Sequence, residues 1–154
     1  APLCEQCPLA HLCQARAAGT TAELPQKAKP KPRKIQPVTV ALVESPAGFL
    51  VQQRPAKGLL AGLWQPVLWE GEHLLQAEVL ERLAALGLDT GGAAPEALPA
   101  AKHIFSHIEW LLSGVQLSVS AQPAPAGYVW TSREELRTVY TLPGAFAAYK
   151  SRMQ

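Results

Sequence analysis

No apolar run in the sequence approaches the roughly 18 residues that a membrane-spanning helix needs. The first residues, APLCEQCPLA, are neither basic nor continuously apolar, which excludes a secretory signal there. Cysteine is scarce: Cys4, Cys7 and Cys13 are the full set, and none follows in the rest of the chain. An odd and clustered set makes a poor disulfide framework and points to a reducing, cytoplasmic setting and to a metal. Charge of one sign is nearly absent as an excess, since the formal net charge is only +2. That balance argues neither for nor against a nucleic-acid partner. No segment repeats.

What remains suits a soluble protein with a real core: 48% of the 154 residues are hydrophobic and 17% are charged. Three regions separate. Residues 1–18 hold the cysteines. Residues 19–37 form a linker with Pro25, Pro30, Pro32, Pro37 and no apolar periodicity, the composition of a semi-extended spacer. Lys27, Lys29, Lys31, Arg33 and Lys34 crowd into it. Such cations keep a linker solvated and extended. They also suit phosphate contacts that add salt-dependent affinity without sequence information, with Lys27, Lys29 and Lys31 as candidates.

Residues 38–154 carry periodic segments and form the domain. Strands are predicted at 38–44, 49–54 and 128–131, with the turn SPAG after the first. Leu75, Val79, Leu83 and Leu86 recur at helical spacing over 74–86, and Gly87 is placed to end that helix. The apolar segment PAKGLLAGLWQP is expected to be a loop packed over the sheet, and TGGAAPEALPA a further loop. A bulged ribbon or strand pair is expected over 108–120, with Ser113–Gly114 as bulge or turn. Ser132 and Glu135 have the spacing of a capping box for a helix over 133–139, and Pro143 can open a last helix. The element order implies an α/β (α+β) fold, a mixed sheet with helices packed against it.

Two motifs stand apart from this frame. The first is the cysteine spacing C-x2-C-x5-C, in which the x2 step lets one tight turn present two thiolates to one ion. Three thiolates are one short of a structural zinc site or an iron–sulfur cluster. With no methionine at its start, the chain is expected to be a fragment whose fourth ligand precedes Ala1. The second is FSHIEW, residues 105–110. From Ile108 onward apolar and polar residues roughly alternate, but projected backward the alternation fails at Phe105 and Ser106. Residues 105–107 are therefore expected to be a loop tip, with a strand beginning near Ile108.

Together these motifs resemble the C-terminal part of the MutY-type adenine DNA glycosylases. In that family a cluster loop of pattern C-x6-C-x2-C-x5-C closes the catalytic domain, and its x2 and x5 steps match Cys4, Cys7 and Cys13; CPLAHLC is similar to the same loop. The segments RPAKGLLAGLWQP and YTLPGAFAAYK also look like the family, whereas GLWQPVLWEGE departs from its common G-L-W-E-F-P. The resemblance implies a four-iron four-sulfur cluster in the parent protein, with three of its four ligands here and no cofactor for residues 38–154. It implies that residues 19–37 connect two domains and that 38–154 are a Nudix-like domain recognising 8-oxoguanine. Phe105, Ser106 and His107 match the family's F-S-H turn. An exposed Phe105 would wedge against a base step, and Ser106 would accept from the N7–H that distinguishes 8-oxoguanine from guanine. His107 would contact DNA or brace the turn. The implied partner is double-stranded DNA carrying 8-oxoguanine opposite adenine, bound by a monomer in the cytoplasm at the nucleoid, with no membrane role. Adenine excision would belong to an N-terminal domain absent here, so the chain itself carries no catalytic residues.

Two other readings compete. True Nudix hydrolases carry the box G-x5-E-x7-R-E-U-x-E-E-x-G-U, U being aliphatic. Aligned on Gly87–Leu88, its paired glutamates fall on Ala84 and Ala85, its arginine on Leu80, and only Glu81 remains. Magnesium needs oxygen ligands that alanine does not offer, which counts against a nucleotide pyrophosphohydrolase. A zinc-binding interaction module would keep the cysteines but leave FSH unexplained.

Overall fold

The segment Val38–Val43 is apolar on both sides of its backbone, and only a strand covered on both faces satisfies such a run. In the computed structural model, which describes residues 2–26 and 32–153, this segment lies inside a six-stranded mixed sheet. The strands are β1 (Lys34–Ser45), β2 (Gly48–Gln53), β3 (Trp64–Glu70), β4 (Glu96–Ile104), β5 (Ile108–Ser118) and β6 (Tyr128–Thr131). Their order is β4-β5-β1-β3-β2-β6. β1 runs parallel to β5 over eleven register pairs from Lys34↔Ile108 to Glu44↔Ser118, and the other pairings are antiparallel.

One face of β1 presents Val38, Val40 and Leu42 to a core completed by Phe49, Val51, Trp110, Leu112, Leu136, Phe146, Tyr149 and Met153. The other presents Ala41 and Val43, with Leu50, Val67, Val115 and Leu117, to Val79 and Leu83. Those last two lie on helix α2 (Gln76–Ala85). The opposite face is covered by α3 (Glu135–Thr138) and α4 (Ala147–Met153), which supply Leu136, Tyr149 and Met153. The domain is therefore a sheet between two helical layers, the α/β class expected.

Several expected elements hold. α2 ends as predicted, with Gly87 at φ +92. The capping box forms: Glu135 accepts from the Ser132 amide at 2.9 Å and hydroxyl at 2.8 Å, and these bonds hold its carboxyl below the ordinary carboxylate range. Pro143 precedes a 3-10 turn, Gly144–Phe146, that runs into α4. Other elements differ. β1 starts at Lys34, four residues before the expected strand. β3 occupies the end of the segment expected to be a loop, and β4 grows out of the second expected loop. Ser113–Gly114 is neither bulge nor turn: β5 is continuous, and the register shift lies across from it on β4, between Leu98 and Ala101.

The described part of the cysteine region forms a separate compact unit. It contains a 3-10 turn at Cys4–Gln6 and the short helix α1 (Gln14–Ala17). Arg16 closes it by donating to the Cys4 carbonyl at 3.1 Å and pairing with Glu5 at 3.3 Å. Lys27, Lys29 and Lys31, the expected phosphate contacts, lie outside the described residues. No helix among the described residues is long and apolar enough to cross a membrane.

Candidate nucleic-acid interface

β4 and β5 form a hairpin whose last register pair is Ile104↔Glu109. The loop between them is residues 105–107, and the Phe105 amide closes it by donating to the Ile108 carbonyl at 2.8 Å. This loop is the physical cause of the broken alternation: side chains inside a turn do not follow a strand's period of two. The expected loop tip and the strand start at Ile108 are both observed.

Ser106 and His107 are exposed at the tip, and the Ser106 hydroxyl lies 3.3 Å from His107 Nδ1. With the imidazole proton on Nε2, Nδ1 accepts the serine proton and leaves the serine oxygen lone pairs free as acceptors. The two side chains thus meet at the tip of the turn. Phe105 differs from the exposed wedge that was expected. It is half-buried, with its ring edge-on to His103 at 4.6 Å and to Trp110 at 5.1 Å between centroids. Register explains the contact, since His103 sits directly opposite Trp110 across the hairpin. Phe105 anchors the loop to the core, so wedging a base step would require it to leave this packing.

Beneath the loop lies a polar cluster that sequence reasoning missed. The Arg54 side chain is only 10% exposed, and its guanidinium carbon lies 5.7 Å from the Trp110 ring centroid. It donates to the Leu59 carbonyl at 2.7 Å, to Gln65, and to Glu70 at 2.6 Å; Glu70 also accepts from Gln36 at 3.1 Å. A planar guanidinium with several fixed donors suits this task. It ties the loop after β2 to the sheet while Leu59 and Leu60 pack onto the core. The sequence signal was available: a cation and an acid at the ends of apolar strands, Arg54 and Glu70, which must find each other if buried.

The helix that could have carried hydrolase chemistry lacks the carboxylates at its aligned positions. Ala84 and Ala85 are exposed on α2, where carboxylates would be needed. Glu78 is occupied by the Leu75 amide at 2.7 Å, and Arg82 pairs with Glu72 at 2.7 Å. Glu81 remains exposed. Among the described residues no group of three or more His, Cys, Asp and Glu side chains could hold a metal ion.

Cys4, Cys7 and Cys13 line one small pocket with Ala10 and Arg16. They are nevertheless not arranged as a ready ligand set, and the three thiols are free.

A family model described as NUDIX domain matches residues 39–151. This chain belongs to the NUDIX domain family. The match spans the sheet and its helices, so the fold of this NUDIX domain and its ancestry agree. The chain is also 28% identical to the human adenine DNA glycosylase over 89% of its own length and 35% of that protein's. It is 30% identical to the mouse adenine DNA glycosylase over 74% of its length and 24% of that protein's. It thus spans about a third or less of these relatives. Among solved structures, the C-terminal domain of mouse MUTYH, crystallised with human PCNA, matches with TM-score 0.59 and 25% identity. That match covers 76% of this chain and 88% of that one. A MutT protein from Methanosarcina mazei matches with the same TM-score at 17% identity over 79% of this chain and 94% of its own, a likeness of fold alone.

Proposed function

We propose that this NUDIX domain is the lesion-reading C-terminal part of an adenine DNA glycosylase of base excision repair. It recognises 8-oxoguanine opposite adenine in double-stranded DNA and does not itself cut a bond. The observation that carries the reading is the 105–107 loop at the end of the sheet, where the exposed Ser106 hydroxyl lies 3.3 Å from His107 Nδ1 and, with the imidazole proton on Nε2, is free to accept a hydrogen bond. 8-Oxoguanine offers N7–H where guanine has a bare acceptor, so an acceptor placed there favours the oxidised base. The likeness to adenine DNA glycosylases over most of the chain supports the parent activity, hydrolysis of an N-glycosidic bond after the adenine is flipped from the stack. Phe105 serves as the loop's anchor and, on leaving its packing, as the wedge.

Lys27, Lys29 and Lys31 contribute phosphate contacts in the connector, and residues 1–18 close the parent's iron–sulfur cluster loop. The spacing and shared pocket of Cys4, Cys7 and Cys13 support three thiolate ligands for a four-iron four-sulfur cluster. Iron and sulfide analysis after anaerobic reconstitution tests whether these three cysteines suffice by themselves: a labile or incomplete cluster is expected, and a stable cluster of full stoichiometry on this chain would overturn that expectation. The function itself is tested by titrating this chain with matched duplexes that contain 8-oxoguanine or guanine opposite adenine. Tighter binding to the oxidised duplex is expected, and equal binding would remove lesion reading from the chain.

A further inference from the structure

The 105–107 loop is held from outside its hairpin. Arg33 Nε donates to the Phe105 carbonyl at 3.0 Å, a hydrogen bond spanning 72 residues of sequence. The next residue, Lys34, donates its amide to the His107 carbonyl at 3.1 Å. With the Phe105 amide bonded to the Ile108 carbonyl at 2.8 Å, both outer residues of the loop are fixed by their backbones. Among the described residues, the amide and carbonyl of Ser106 have no backbone partner, so the tip alone is left open. β1 begins at Lys34, so the strand leaving the connector is seated on the loop from its first residue.

We propose that Arg33 is a positioning residue for lesion recognition, clamping the Phe105 carbonyl so that Ser106 is presented in a fixed place. The proposal rests on the reading of Ser106 as the base contact. The sequence offers Arg33 only as one more linker cation, and its charge alone would suit a phosphate. The geometry assigns a different role, because a guanidinium Nε bonded to a backbone carbonyl acts through direction as well as charge. Its effect should therefore fall on discrimination rather than on general affinity. A connector fixed to DNA and a loop fixed to the connector's last residues would engage the duplex as one unit.

The variant that separates the roles is Arg33→Lys. It keeps the charge, but lysine has a methylene where arginine has Nε. Two readouts are compared in the full chain. Hydrogen exchange at the Phe105 and Lys34 amides, which bond to the Ile108 and His107 carbonyls, reports the loosening of the loop when the clamp on the Phe105 carbonyl is lost, and should rise about three- to ten-fold, the worth of one modest hydrogen bond. Titration of 8-oxoguanine and guanine duplexes should show discrimination narrowed by a similar factor, with the salt slope unchanged. Ser106→Ala is titrated alongside. Exchange at the two amides unchanged in Arg33→Lys overturns the proposal. So does full discrimination in Arg33→Lys while Ser106→Ala loses it. Discrimination intact in both variants overturns the reading of Ser106, and the positioning role with it.

Discussion

At the scale of single residues, the loop divides its labour. On the proposed reading Ser106 contacts the base and His107 Nδ1 orients its hydroxyl, while Phe105 packs edge-on against Trp110. Each role has its own signature. A base-edge hydrogen bond is worth roughly 1–3 kcal/mol, so Ser106→Ala should narrow the preference for 8-oxoguanine by about ten-fold or more and leave thermal stability nearly unchanged. His107→Ala frees the serine proton to point outward, and should reduce the same preference by less. Phe105→Ala should lower stability by about 1–2 kcal/mol, because it removes a half-buried ring and its edge-on packing against two neighbours, and should also weaken lesion binding. Denaturant titration separates it from the other two. Tyr149 supplies a pH test away from the loop. Its hydroxyl donates to the Pro99 carbonyl at 3.1 Å, and burial raises its phenol above the ordinary 10.0. A raised folded pKa gives stability that is present below that ordinary value and lost as pH rises through the folded one. Thermal melts should therefore fall in the alkaline range, and Tyr149→Phe should flatten the fall; Tyr128, also raised by burial, contributes in the same direction.

At the scale of elements, close approach of backbones decides where substitution hurts. Gly48 opens β2 at φ +118, and a Cβ there would meet the Thr131 carbonyl oxygen of β6 at 2.1 Å. Gly48→Ala combines a backbone overlap with a strained φ, and should cost on the order of 2 kcal/mol or more, read as a lower midpoint in urea. The same backbone logic explains which elements were legible. β1, β2, β6 and α2 announce themselves by period and by turn residues. β3 is hidden because Pro66 stands inside it and Gln65 is buried, against the rules for an interior strand. β4 is hidden because Pro99 falls at the register shift of an edge strand, the place where a sheet tolerates proline. Gly114 suggests a turn but lies flat in β5, where a Cβ would come within 3.1 Å of Leu98. The loop of the candidate site was legible through its broken period. Arg33 was not; Arg54 and Glu70 stood out as charges at the ends of apolar strands, but their pairing, like the partner of Arg33, is set by a register that only the assembled sheet defines.

At the scale of the whole molecule, this NUDIX domain keeps the family's sheet and helix but places alanine where metal-binding carboxylates would stand. Magnesium-dependent release of pyrophosphate from nucleoside triphosphates should not exceed background, and turnover abolished by Glu81→Gln would restore the hydrolase reading. General affinity should reside in the connector: alanine at Lys27, Lys29 and Lys31 should flatten the salt dependence by up to about 0.9 log unit for each phosphate no longer neutralised. An unchanged slope would leave those lysines merely solvated. The central claim is that a NUDIX scaffold without hydrolase ligands reads an oxidised base through one serine. Its most direct measurement is the ratio of affinities for duplexes differing only in 8-oxoguanine versus guanine, taken at one salt concentration for the unaltered chain and for Ser106→Ala. The account predicts a clear preference in the unaltered chain that shrinks about ten-fold or more in the variant, with guanine-duplex affinity little changed. An equal ratio in the two proteins would contradict it.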